Sequence, residues 1–422
     1  MKYLHSRMIF FKLQQSLKHQ NMKRFIPFLV VAALLFSLAA LVSCDKDNPP
    51  VDEFTPGGWL AGQVFAKNGT TPIANANVFV DCNGEIYITQ TDRDGRFKLI
   101  APEGPQVLNI QSGYGRIFRT TVDVTVEKYK VTTIPEYDLK LAQAANLAYI
   151  AGSYDEIQDV IESLGYTCTA INITDLEDAD LIASYGALFI NCSAHHGFNE
   201  AIWNNLQEYV ENGGSLYVSD WAVSSLIGYL TTKDQCDENR HWYYGHSTGT
   251  KSCPTRLGGF ITTDDLCTQR SGLSGTITGA SVINQELADW IGLNTIDINY
   301  DLGSWETIQQ LSDSWEVLIQ DDNMGYGPLA VRTRLDSPAD LDLKTKDQSW
   351  VTICHIPPGN PANAHTITIA LSAWPAHEAH GDQMGPCEGH SGSIIFTTFH
   401  NHPDDDIPVE IQKILEYFII NL

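Results

Sequence analysis

Four short runs decide the fold: NLAYIAG (146–152), TCTAINI (167–173), GALFINCSA (186–194) and GGSLYVSDWA (213–222). Between them lie YDEIQDVIESLG and AIWNNLQEYVENGG, whose apolar residues recur at helical spacing. Ile157, Val160, Ile161 and Leu164 form one stripe, and Trp203, Leu206, Tyr209 and Val210 form the other. Apolar runs alternating with amphipathic helices are the pattern of a parallel sheet with helices on its faces. GALFINC is apolar almost throughout, as a strand covered on both sides must be. Sites in such sheets form beyond the carboxyl ends of the strands. Here those ends carry Gly152–Ser153, Asn191–Cys192–Ser193 and Ser219–Asp220–Trp221.

Upstream, residues 58–141 read as strand and turn only. GWLAGQVFA, ANVFVDC, EIYITQTD, RFKLI, QVLNIQS, RIFRTTVDV and EYDLKL are separated by Gly, Asn and Asp, and several alternate with period two. Two sheets, each with one wet face, follow from that alternation. GQVFAKNGTTPIANANVFVDC and TDRDGRFKL closely resemble carboxypeptidase regulatory-like domains, seven-stranded transthyretin-like sandwiches without a catalytic group. The resemblance makes Asp94–Gly95 a tight hairpin turn and Phe97 a core aromatic. LAQAAN (141–146) reads as helix-forming before the first α/β strand.

Downstream, GSIIFTTFHNHP (392–403) and IPVEIQKILEYFIINL (407–422) supply a further strand and a closing amphipathic helix with Val409, Ile411, Ile414, Leu415, Phe418 and Ile419 on one stripe. WEVLIQDD, GPLAVRTR and SWVTIC read as additional strands. Residues 142–422 as a whole resemble the glutamine-amidotransferase-like superfamily, a flavodoxin-like α/β/α fold, especially its variants in extracellular lipoproteins. Catalytic members place a cysteine at a sharp strand-to-helix elbow and a histidine and a glutamate after the last strand. The resemblance puts Cys192 in the nucleophile's place and His400 in the base's. His402 stands where the acid belongs, leaving Asp220 and Asp404 as the candidate orienting carboxylates. The elbow NCSA lacks glycine, so the resemblance implies an α/β domain that binds rather than cleaves. The alternative is a cysteine-dependent amide or ester hydrolase using Cys192 and His400. Ser153, His195, His196 and Trp221 sit on the same predicted edge and are its candidate ligand contacts.

Two cysteine-rich insertions interrupt the domain, at about 231–270 and at 352–387. The second reads TICHIPPGNPANAHTITIALSAWPAHEAHGDQMGPC and closely resembles a short module of bacterial secreted and surface proteins. We read a hairpin, HTITIA, then a helical turn around PAHEAHG, clipped by a Cys354–Cys387 disulfide. Such a bridge stabilises by roughly 3–4 kcal/mol through the unfolded state. His355, His365, His377, His380 and Asp382 carry metal-ligating groups, which makes a divalent metal the one cofactor the sequence suggests; the other reading is a hydrogen-bonded polar core.

The amino-terminal segment sets the expected location. Lys23–Arg24 precedes FIPFLVVAALLFSLAALVS and then Cys44, a basic, apolar and small-residue order that reads as a secretory signal over residues 1–44. Leu41–Val42–Ser43–Cys44 closely resembles the bacterial lipoprotein signal, in which Cys44 is lipidated; Met22 is an alternative start. Residues 45–57 are a polar tether. The implied setting is the cell envelope, anchored to a lipid membrane and facing outward on the outer membrane. Six of the 26 Lys and Arg precede Cys44 and none of the 51 Asp and Glu does, so 20 basic face 51 acidic side chains beyond it. That balance disfavours nucleic acid and leaves a glycan, a peptide or an envelope protein as partner.

Overall fold

Period-two burial is visible at once in the first region. The computed structural model of the chain describes residues 57–82, 85–113, 117–192, 198–230, 256–262, 264–334, 350–355, 365–370, 373–378, 383–384, 392–400 and 408–422. Every second side chain of Arg96–Ala101 is buried, and Gly104–Gln111 alternates in the same way. Gly58–Gln63 pairs antiparallel with Arg96–Ala101 and parallel with Val131–Thr133. Asn77–Cys82 lies between Glu85–Gln90 and Gly104–Gln111, with Arg119–Val126 outermost. The Asp94–Gly95 turn forms as read: Gly95 has φ +75°, and Asp92 Oδ1 accepts the N–H groups of Asp94 and Arg96. Phe97 is buried in the core below it.

Two expectations fail here for local reasons. EYDLKL is strand-like only at its end: Glu136–Asp138 is a 3-10 turn, Lys140 makes an isolated parallel bridge with Phe65, and the last full strand of the region is Val131–Thr133. Pro135 precedes that turn and has no N–H to give a ladder. LAQAAN is not helical either. Its Gln143 side chain exchanges hydrogen bonds with the main chain of Thr167 and donates to that of Ala145, holding the connector extended.

A nine-stranded sheet follows. Its strands in chain order are β1 (Asn146–Ile150), β2 (Cys168–Ile171), β3 (Tyr185–Ile190), β4 (Ser215–Ser219), β5 (Gly275–Val282), β6 (Thr295–Tyr300), β7 (Trp315–Asp321), β8 (Gly327–Arg334) and β9 (Ser393–Thr397). The spatial order is β6-β5-β7-β8-β9-β4-β3-β1-β2. The five strands from β9 to β2 run parallel. The other four extend the sheet antiparallel through β8. Every residue of β3 and of β4 is buried, the consequence of helices on both faces.

The principal helices are α1 (Ile157–Ser163), α2 (Glu200–Glu211) and α3 (Val409–Ile420). Asn199 caps α2 by accepting the N–H of Ile202, and the expected stripe from Trp203 to Val210 is buried. The α3 stripe is buried too, except Val409, which is exposed at the first turn. The chain is multi-domain, with large sheets and helices in an α/β arrangement, yet one apolar core joins its parts. Leu60, Val78 and Leu108 of the first region belong to the same buried cluster as Ile161, Leu415 and Phe418. Each such side chain contributes roughly 1.5–3 kcal/mol by leaving water.

The 352–387 insertion begins as read. Trp350–His355 pairs antiparallel with His365–Ala370 and with Gln383–Met384, and Trp374–Glu378 is helical. Trp374 is buried against Ile86, so the module docks on the first region's four-stranded sheet. Cys82 and Cys267 are disulfide-bonded, whereas Cys168 and Cys192 are free thiols. Cys387, and with it the expected Cys354 bridge, lies outside the described residues, as do Cys44 and residues 1–56. Among the described residues no helix is long and apolar enough to cross a membrane.

Candidate functional site

Four strand ends meet on one edge, and small residues let them approach. A Cβ on Gly152, just past β1, would lie 2.0 Å from the Cys192 carbonyl oxygen, so only glycine fits there. The adjacent Ser153 N–H donates to that oxygen at 3.2 Å. Cys192, past β3, is thereby fixed with 1% of its surface exposed. Beyond β4 the chain turns sharply into a 3-10 turn at Asp220–Val223, and Asp220 takes φ +40°. That left-handed backbone without a glycine is the strained strand-to-helix elbow of the site. The elbow expected at Cys192 runs into residues 193–197, outside the described residues; the described left-handed turn lies one strand over and carries a carboxylate. His400 comes two residues beyond Thr398, at the far side of the same edge.

The three side chains form one cluster. Cys192 Sγ donates to Asp220 Oδ2 at 3.5 Å, and His400 Nδ1 lies 4.0 Å from the same oxygen. The ligating atoms of all three fall within 4.8 Å of one another, a grouping that can hold a metal ion. Asp220 Oδ1 accepts the Glu306 N–H at 2.7 Å. Trp221 Nε1 donates to the carbonyl of Ser304, itself at φ +67°, at 2.8 Å. These two bonds lash the β4 elbow to the 301–306 loop. Arg270 pairs with Glu306 and covers one face of the Trp221 ring, 4.5 Å from its centroid. Under the cluster, Tyr217 and Tyr300 hydroxyls bond the hydroxyls of Thr397 and Thr398.

Above the cluster opens a cavity of about 450 Å³, within the range of small-molecule sites. Its walls are aromatic, with Tyr154 edge-on to Trp221 and Tyr300 stacked on Trp305 at 4.0 Å. Asn299 and Asp301 add polar groups. Electrostatics opposes a thiolate here. Burial first, and the Asp220 carboxyl second, raise the Cys192 thiol well above its ordinary range. Burial also pushes Asp220 up to about 8, although the Glu306 N–H pulls the other way. A working cysteine triad keeps the base between nucleophile and acid. Here the carboxyl sits between thiol and imidazole, the order that suppresses ionisation of the sulfur.

The structure thus brings together Cys192, Asp220 and His400 of the expected catalytic set, and Trp221 of the expected ligand edge. Ser153 stands beside the cluster as an exposed residue outside the cavity lining. Asp404, His195, His196, His380 and Asp382 lie outside the described residues. His355 and His365 are register partners on paired strands, and His377 is on the short helix of the insertion. Sequence reasoning missed Tyr154, Tyr300, Asp301 and the place of Trp305 at the cavity. Trp305 does pack, against Tyr300 and Tyr326, but it also lines the cavity.

No protein-family description matches the chain, and no curated protein does. Among solved structures it is similar to a putative ThuA-like protein from Bacteroides uniformis at 10% identity and a TM-score of 0.28, over 65% of this chain and 88% of that one.

Proposed function

We propose that this chain is a lipid-anchored cell-envelope protein whose α/β domain binds a small saccharide without cleaving it. In this reading the three- and four-stranded sheets form a carboxypeptidase regulatory-like sandwich next to the membrane, presenting a degenerate glutamine-amidotransferase-like domain. The observation that carries the proposal is the cavity itself: about 450 Å³, walled by Tyr154 and Trp221, with Asn299 and Asp301 beside them. Flat aromatic faces cover the apolar C–H surface of a sugar ring, and amide and carboxylate groups take its hydroxyls. Trp221 is held by its Ser304 bond and by Arg270, so little ordering is left to binding. The cysteine-hydrolase alternative needs a thiolate at Cys192, and the adjacent buried carboxyl works against one. A thermal-shift screen of neutral mono- and disaccharides tests the reading. A bound sugar at 100 times its Kd stabilises by about 2.7 kcal/mol and raises the melting temperature. Flat responses across the panel, with cleavage of a chromogenic amide or ester that Cys192→Ala abolishes, would replace it by the hydrolase.

A further inference from the structure

Three of the strand ends that make the cavity floor contribute one sulfur, one nitrogen and one oxygen donor. From their geometry we propose that Cys192, Asp220 and His400 form a mononuclear site for a zinc-class transition metal, with the fourth coordination position opening on the cavity. The inference stands apart from the saccharide reading, since it concerns only the floor.

Edge lengths carry it. A tetrahedral zinc ion with sulfur at ~2.3 Å and nitrogen or oxygen at ~2.0 Å has ligand-to-ligand edges of roughly 3.3–3.6 Å. The Cys192 Sγ to Asp220 Oδ2 separation is 3.5 Å, already one such edge. The His400 Nδ1 to Asp220 Oδ2 separation is 4.0 Å against an ideal nitrogen–oxygen edge of ~3.3 Å, and all three ligating atoms lie within 4.8 Å of one another, so the imidazole must close by roughly 0.7 Å on the carboxyl and turn toward the sulfur. Surroundings agree with the distances. The Glu306 N–H occupies Asp220 Oδ1, which orients the carboxyl and leaves Oδ2 as a single donor. Cys192 and Asp220 are buried at 1% and 4% exposure, so bulk water does not compete for them. All three residues line the cavity, and a ligand entering it reaches the remaining position directly. Three protein ligands with one open position is the arrangement of a reactive rather than a purely structural zinc site. The mixed sulfur, nitrogen and oxygen set selects zinc or cobalt over magnesium or calcium, which require oxygen.

Cobalt reports the site without any assay of activity. Full-length protein stripped with chelator is titrated with Co²⁺ alone and read by absorption. A bound cobalt thiolate gives a near-ultraviolet charge-transfer band, and tetrahedral geometry gives intense visible bands. We expect both at one equivalent, loss of the charge-transfer band in Cys192→Ser, and affinity weaker by tenfold or more in His400→Gln. The paired variant His355→Gln/His365→Gln, in the separate insertion, should keep the band. Should Cys192→Ser misfold, protection of wild-type Cys192 from iodoacetamide by Zn²⁺, located by peptide mass mapping, reads the same contact. A cobalt complex with no thiolate band, a band that survives Cys192→Ser, or alkylation of Cys192 at equal rates with and without Zn²⁺ would each overturn the proposal. Saccharide binding, measured separately, is unaffected by those outcomes.

Discussion

Replacing Asp220 by asparagine separates the cost of ionising a buried carboxyl from everything else at the site. Unfolded, this residue ionises at the ordinary value of 3.8; folded, burial holds its proton to about 8. The folded state therefore binds more protons across that window, and stability falls as pH rises from about 4, reaching its floor above about 8. One pH unit within the window is worth ~1.4 kcal/mol, so between pH 5 and pH 8 this one group removes about 4 kcal/mol. Asparagine keeps an acceptor for the Glu306 N–H and cannot ionise. Its stability profile should be flatter than that of the wild type by this amount. Burial also raises Glu416, but that contribution is common to both proteins and cancels in the difference. Urea midpoints in chelator-treated protein at half-unit steps from pH 5 to 8 provide the measurement. Parallel profiles, or a wild type that gains on the variant as pH rises, would refute the reasoning and mean that Asp220 is solvated or ion-paired.

Other outcomes follow from the same geometry. Gly152→Ala forces a Cβ onto the Cys192 carbonyl and should destabilise by about 1–3 kcal/mol, read as a lower urea midpoint; an unchanged midpoint would show that the β1 and β3 ends do not touch. Cys192 should alkylate slowly with iodoacetamide at neutral pH, with no step in rate across histidine's titration range, whereas rapid labelling abolished by His400→Ala would point to a base-activated thiol. Cys44→Ala should accumulate an unprocessed precursor that no longer partitions into detergent; normal processing and partitioning would place the anchor elsewhere.

Much of the parallel half of the sheet was legible because its strands announce themselves locally. GALFI and LYV are apolar without interruption, and Gly165 and Gly213, at φ +85° and +91°, follow the two helices where the sequence put the breaks. The helix stripes could be named residue by residue for the same reason. The elbow was harder. Residue type pointed to Cys192, but the left-handed backbone falls at Asp220, where tertiary bonds to Glu306 and Ser304 hold a strain that no glycine advertises. Half of the cavity wall was invisible. Tyr300 and Trp305 reach the site only because β5 to β8 extend the sheet antiparallel and return the 301–306 loop to the β4 end. Nothing in the local pattern of DLGSWET encodes that return, so neither Trp305 nor Asp301 stood out as a site residue. EYDLKL misled in part: its alternation suits a strand, but Pro135 leads into a 3-10 turn over Glu136–Asp138 and only Lys140 bridges to Phe65.

The most direct test of binding without cleavage is isothermal titration of the best saccharide from the screen into wild-type and Trp221→Ala protein. Expected are one site per chain, intact sugar recovered afterwards, and affinity lower by at least about tenfold, ~1.4 kcal/mol, in the variant that loses the fixed ring. Equal affinity in the two proteins, or recovery of cleaved sugar, would contradict binding without cleavage.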